Sequence, residues 1–221
     1  VQYRGKFLQV DRERVRGLLF RRDQVELDIS VNGSVPVSSK DSSARRDMPD
    51  LDPTLELGPE LNVHLYYDER RHTNLDLRLP VRAVFAVSTQ RFERQGWLAQ
   101  PQLNLDLKNV VRSGWNLGLV AGLLYGDQGY HGYFYDVAPQ YATAARPAYT
   151  APGGFAGKQF IAALSRRRGD VWMGAFLKWD DLSGAGFADS PLVQSRQAFA
   201  GGFMVAWVFA KSDKLVEVNE D

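Results

Sequence analysis

The sequence predicts an all-β protein, an antiparallel up-and-down β-barrel that crosses a membrane with its strands. Three observations lead there. Apolar and polar residues alternate with period two over segments of about 11 to 14 residues, against roughly 5 to 6 for an ordinary strand and roughly 9 to 11 for a tilted strand spanning a bilayer. The polar face of these segments carries full charges well inside the segment. Connectors also alternate along the chain between short and long. A transmembrane helix needs about 20 consecutive apolar residues, and the longest apolar stretch, 117–125, is interrupted by glycine.

The elements follow in order. Segments 2–10 and 15–20 are short and irregular, with Arg12, Glu13 and Arg14 between them. In 24–37, Val25, Leu27, Ile29, Val31, Val35 and Val37 alternate with Glu26, Asp28, Ser30, Asn32 and Ser34. In 54–67 the apolar set Leu55, Leu57, Leu61, Val63 and Leu65 opposes Glu56, Gly58, Glu60, Asn62 and His64. Segment 74–87 sets Leu75, Leu77, Leu79, Val81 and Phe85 against Asp76, Arg78, Pro80 and Arg82. Segment 97–107 sets Leu103, Leu105 and Leu107 against Gln102, Asn104 and Asp106, with Lys108 next on the polar side. The series continues through 115–125, 157–165, 171–181 and 197–209, the last ending in Trp207 and Phe209. That makes ten strands in one domain, 1–209, followed by a charged tail, 210–221, expected to be disordered.

Short connectors at 21–23, 68–73, 108–114 and 166–170 fall at one rim of such a meander, and longer ones at 38–53, 88–96, 126–156 and 183–196 at the other. Outer-membrane barrels have short periplasmic turns and long external loops. Tyr66, Tyr67, Phe85, Trp97, Trp115, Tyr125, Trp179, Trp207 and Phe209 lie near segment ends, where aromatic girdles sit at the headgroup level. The chain begins at Val1 with no signal segment ahead of it. The expectation is a matured or incomplete N-terminus, with ten to twelve strands in the intact protein.

Two placements of the faces are compatible with alternation. A soluble closed barrel or sandwich buries the aliphatic face and exposes the charges. The membrane reading puts Leu27, Leu57, Leu77, Leu105, Leu119 and Leu177 into lipid. It gathers Glu26, Asp28, Glu56, Glu60, His64, Asp76, Arg78, Arg82, Asp106 and Lys108 into an interior polar network, where buried charge must be paired or hydrated. Strand length and the density of internal charge favour the membrane reading.

Composition bounds the chemistry. The 221 residues carry a net charge of +1 from 27 Lys and Arg against 26 Asp and Glu, so nucleic acid is not an expected partner. With no Cys, disulfides, thiolate zinc sites and thiol nucleophiles are excluded. Three histidines far apart, His64, His72 and His131, leave little for a transition-metal centre, and neither a metal nor a cofactor is expected. Asp47, Asp50 and Asp52 fall short of a calcium loop. His131, with Asp136, Asp189 and Ser190 elsewhere in the chain, is the one set to weigh as a lipid-acting hydrolase, but it lacks a nucleophile motif. The chain is therefore read as non-enzymatic. Arg70 and Arg71 in one short turn, and Arg166, Arg167 and Arg168 in another, are candidate contacts for periplasmic partners.

Longer motifs carry a resemblance. Gly132-Tyr133-Phe134-Tyr135-Asp136-Val137, then Ala138-Pro139-Gln140-Tyr141-Ala142-Thr143-Ala144, Arg146-Pro147-Ala148-Tyr149 and Gly153-Gly154 resemble the signature of the MipA/OmpV outer-membrane family. So do Phe187-Ala188-Asp189-Ser190-Pro191-Leu192-Val193 and the stretch from Asp50 to Pro59. The resemblance runs from about Tyr3 to Phe209; relative to the family the chain lacks the first strand and adds the charged tail. It implies residence in the outer membrane of a Gram-negative bacterium, in contact with the bilayer and lipopolysaccharide. Tyr133, Tyr135, Asp136, Pro139, Tyr141, Arg146, Pro147, Tyr149, Asp189, Ser190 and Pro191 would then be extracellular. It further implies a scaffold linking a murein synthase to a lytic transglycosylase. A narrow channel or small-solute binding barrel is the alternative function.

Overall fold

The computed structural model describes residues 3–4, 8–10, 15–68, 72–110, 114–207 and 209, with side chains from Leu18 onward. Twelve strands lie in a single antiparallel sheet: β1 (Tyr3–Arg4), β2 (Leu8–Val10), β3 (Val15–Arg22), β4 (Val25–Gly33), β5 (Thr54–Asp68), β6 (Thr73–Val87), β7 (Phe92–Ala99), β8 (Gln102–Val110), β9 (Trp115–Gly126), β10 (Gly154–Arg168), β11 (Val171–Asp181) and β12 (Gln197–Trp207). One helix, α1 (Gln128–Tyr135), and a 3-10 turn (Pro139–Tyr141) interrupt the connector between β9 and β10.

Neighbours in sequence are neighbours in the sheet, as in a meander. β7 and β8 act as one wall strand, since β6 and β9 pair with both. The ladder breaks at Gln100 and Pro101, because proline has no N–H to donate. There the Gln100 amide donates to Pro80 O (3.1 Å) and the Leu123 amide to Pro101 O (2.9 Å). With β7 and β8 counted as one wall strand, and β1 and β2 both falling within the single predicted segment 2–10, the elements map onto the ten segments that the alternation predicts.

Four local expectations are corrected. Segment 2–10 is not one strand, because Tyr3 pairs with Val10 in a hairpin. The strand expected to reach Val37 ends at Gly33, where a Cβ would sit 2.8 Å from the Thr54 carbonyl oxygen; beyond it only an isolated bridge, Val37 to Leu51, remains. The connector at 88–96 shrinks to four residues, because β7 starts at Phe92 and Ser88 closes the turn by donating its amide to Arg91 O at 2.9 Å. The 126–156 connector contains a helix where only loop was expected.

The faces are arranged as the membrane reading requires. Paired positions share a face, and Leu27, Leu57, Leu77, Leu105, Leu119 and Leu177 all lie on the outer one, opposite Glu60, Arg82 and Gln159. Leu57 is 44 % and Leu177 55 % exposed, whereas inward Glu60 is fully buried and Asp28 nearly so. Such a continuous exposed apolar surface is rare on soluble monomers. The sheet curls, since residues of β4 and β11 line one cavity and Gln194 reaches Ser43 at 2.6 Å from the far side of the chain. Among the described residues no ladder joins β12 to the N-terminal strands.

β5 and β6 approach closely at one glycine. β5 pairs with β6 through Leu57 and again from Glu60, skipping Gly58 and Pro59. A Cβ on Gly58 would fall inside contact distance of the Val81 carbonyl oxygen and 2.8 Å from Arg82 Cα, so only glycine permits the close approach.

Candidate functional site

The inner face of β4 to β6 carries the predicted polar network. Arg82 is its centre: Nε donates to Ser30 Oγ (2.9 Å), Nη2 meets Glu60 Oε2 (3.4 Å) and Nη1 faces Glu56 Oε2 at 3.6 Å. All four residues are buried. Below them, Asn62 Nδ2 donates to Asp28 Oδ2 (2.6 Å). Towards the short-turn rim, His64 bridges Asp76 (Nδ1 to Oδ1, 2.6 Å) and Glu26 (Nε2 to Oε1, 3.4 Å). Arg21 and Arg78 add cations to Glu26 (2.6 Å) and Asp76 (3.8 Å). Eight of the ten predicted residues thus fall in these three neighbouring groups. Asp106 and Lys108 lie on the same face but exposed, farther down at the short-turn rim.

The long connectors assemble into a cap at the other rim. Asp127 starts α1 by accepting the amides of Tyr130 (2.9 Å) and Trp97 (3.0 Å) on Oδ1, tying the helix to β7. Tyr133 OH donates to Asp52 O (2.8 Å), and Arg45 donates to Phe134 O (3.2 Å). Arg146 reaches Tyr141 O (2.8 Å) and, across about a hundred residues, Ala44 O (2.9 Å) and Arg46 O (2.8 Å). Phe187 is the apolar anchor, stacked on Tyr135 at 3.8 Å and edge-on to His131 at 4.7 Å. Ser190 Oγ donates to Tyr135 O (2.8 Å), Asp136 accepts the Ala151 amide (2.6 Å), and Val137 bridges Tyr149. Pro139 opens the 3-10 turn. Pro147 and Pro191 lie in the same connectors, at 142–153 and 182–196. The motif residues therefore build this cap.

The hydrolase set does not come together. His131 is fully buried, with Nδ1 2.6 Å from Pro152 O, which fixes Nδ1–H as the donor. Desolvation pushes its pKa below the ordinary 6.5, so the ring is neutral at pH 7. Ser190 and Asp136 are committed as above, and Asp189 pairs with Arg196 at 3.1 Å. Of the three loop aspartates, Asp50 accepts the Ser39 amide (2.6 Å), which holds its carboxyl below the usual range. No group of three His, Asp or Glu converges as metal ligands among the described residues.

Arg166 sits over the Trp115 ring, 5.7 Å from its centroid, on the outer face at the short-turn rim. Arg168 shares that face two residues further along β10, and Arg167 bonds back to Gly169 O at 3.1 Å. Arg70 and Arg71 lie outside the described residues.

Sequence reasoning missed a cavity of about 370 Å³ beneath α1. One wall is polar, with Asn32, Glu56, Arg82, Gln100, Gln102, Gln159 and Lys178; the other is Leu98, Val120, Leu124, Ile161 and Phe176, roofed by Tyr130. A relay crosses it: Gln100 donates to Gln159 (3.3 Å), Gln159 to Asp180 (3.0 Å), and Asp180 pairs with Lys178 (3.0 Å). Parity on β9 to β11 was the available signal, since it puts Val120, Ile161 and Phe176 inward.

Comparison with curated proteins gives no match, and neither does comparison with solved structures. The family model described as MltA-interacting protein MipA matches residues 1–209. That span takes in the whole sheet and every cap connector, so the chain belongs to the MipA family.

Proposed function

We propose that the protein is an outer-membrane barrel of a Gram-negative bacterium that holds a murein lytic transglycosylase at its periplasmic rim, without catalysing a reaction itself. The observation that carries this reading is the family match over 1–209, because the family's description names interaction with MltA. The geometry supports the membrane placement. Trp115 and Tyr125 mark the two ends of the outer face of β9, ten residues apart. At about 3.4 Å per residue and a tilt of about 40° that is a height of roughly 26 Å, close to the roughly 25 Å apolar band of such barrels.

The cap then faces outward and the short turns face the periplasm, where Arg166 and Arg168 meet a partner through polar, salt-sensitive contacts. A murein synthase is the second partner this reading expects. A through-channel has less to support it, because α1 roofs the cavity with Tyr130 and packs His131 on Phe187 of another connector. The test is a photo-crosslinking side chain at Arg168 in intact cells, with capture of a lytic transglycosylase expected. Efficient crosslinking to lipopolysaccharide instead would invert the orientation and remove the basis for this interface.

A further inference from the structure

We propose that the cavity beneath α1 binds a small, neutral, amide-bearing solute of about dipeptide size, holding its amide at Glu56 and Arg82 and its apolar group against Ile161 and Phe176. This goes beyond partner binding at the short turns and does not depend on it.

The size follows from the volume. At about 30 Å³ per water, 370 Å³ corresponds to roughly a dozen waters, at the lower end of small-molecule sites. The two-walled lining selects an amphipathic occupant. Along the polar wall, Gln100 and Gln159 are already engaged in the relay to Asp180. The point left under-coordinated is the pair at the cavity edge. Glu56 Oε2 and Arg82 Nη1 face each other at 3.6 Å, too far for a hydrogen bond, and neither atom has a hydrogen-bond partner. Buried polar atoms in that state cost stability that a ligand recovers by supplying the missing partners.

Charge decides the chemistry. An anion drawn to Arg82 would lie against Glu56 and near Glu60, and a cation drawn to Glu56 would lie against Arg82; Lys178, the other cation in the lining, is already paired with Asp180 at 3.0 Å. A neutral group with one donor and one acceptor suits both. A primary carboxamide carries these on one edge, on two atoms about 2.2 Å apart, so its syn N–H serves Glu56 and its carbonyl takes the Arg82 donor with small rotations of either side chain. A hydroxyl carries both on a single atom and spans the pair less well.

The test uses the full chain folded in detergent micelles, with N-acetylphenylalaninamide as probe and 2-phenylethanol as the control that lacks an amide. Saturation-transfer NMR is expected to show binding of the amide probe with a Kd of about 1 mM or tighter. Val120→Trp, which fills the cavity from its apolar side, abolishes the signal. Glu56→Ala weakens the amide probe about tenfold relative to 2-phenylethanol. Phe176→Ala weakens both probes and substitutes for Val120→Trp if that variant does not reach the folded, heat-modifiable form. Absence of binding by folded wild type at about 10 mM probe, binding that survives both cavity variants, or equal effects of Glu56→Ala on the two probes would overturn the proposal.

Discussion

Replacing Arg82 with Met removes the only cation that touches both Glu56 and Glu60 among the described residues. Arg82 is 2 % exposed, and its contacts run 2.9 Å to Ser30, 3.4 Å to Glu60 and 3.6 Å to Glu56. With an effective dielectric of about 20, one such ion pair at about 3.5 Å amounts to roughly 5 kcal/mol of attraction. Desolvation of all three groups opposes it, so the net loss on truncation is about 3–5 kcal/mol, the range for leaving a buried charge uncompensated. Urea unfolding of the barrel in lipid vesicles, read by heat-modifiable electrophoretic mobility, measures it. The double variant Arg82→Met/Glu60→Gln should recover part of the loss, with a coupling of about 1–3 kcal/mol, because one stranded carboxylate has been neutralised. An Arg82→Met barrel within about 0.5 kcal/mol of wild type would refute the reasoning. It would mean that the inner face is open to bulk water rather than a desolvated cluster.

Asp127→Ala removes the acceptor for the Tyr130 and Trp97 amides, and should weaken α1 by about 1 kcal/mol, seen as faster amide exchange over 128–135 with the strands unaffected. The cap should also loosen in acid. His131 has its pKa lowered on folding, so its contribution is fully present above about 6.5 and is lost as pH falls below that value. Protease sensitivity of 127–153 should therefore rise as the pH falls below about 6.5, and His131→Phe should flatten that dependence. Gly58→Val drives a side chain into the β6 backbone at Val81 and Arg82, and should reduce the yield of heat-modifiable barrel sharply while Ala162→Val on the outer face does not.

The wall was legible in the sequence because side-chain face follows parity. Glu26, Asp28, Glu56, Glu60, Asp76 and Arg82 are placed on one surface by nothing more than period two, and the same rule put Leu57 and Leu177 on the other. Parity says nothing about where a ladder stops. Alternation runs on to Val37 although the strand ends at Gly33, and it runs through Pro101, where the missing N–H divides β7 from β8. Helix α1 was hidden because Gln-Gly-Tyr-His-Gly-Tyr-Phe-Tyr contains two glycines and no apolar stripe; its only local mark is the capping Asp127. The cap motifs were visible, but their partners were not. Arg146 with Ala44, Arg45 with Phe134 and Ser190 with Tyr135 are separated by 102, 89 and 55 residues, beyond the reach of any local pattern. The cavity was missed because it forms only where the inner faces of β9 to β11, with Val120, Ile161 and Phe176, close against the charged faces of β5 and β6.

The absence of native cysteine makes single-cysteine labelling clean, and it tests the central claim most directly. Ala144→Cys lies exposed in the cap, and Gln24→Cys lies exposed in the short turn between β3 and β4. A membrane-impermeant maleimide added to intact cells should label Ala144→Cys and leave Gln24→Cys unlabelled until the outer membrane is permeabilised. Labelling of Gln24→Cys on intact cells, with Ala144→Cys protected, would contradict the account.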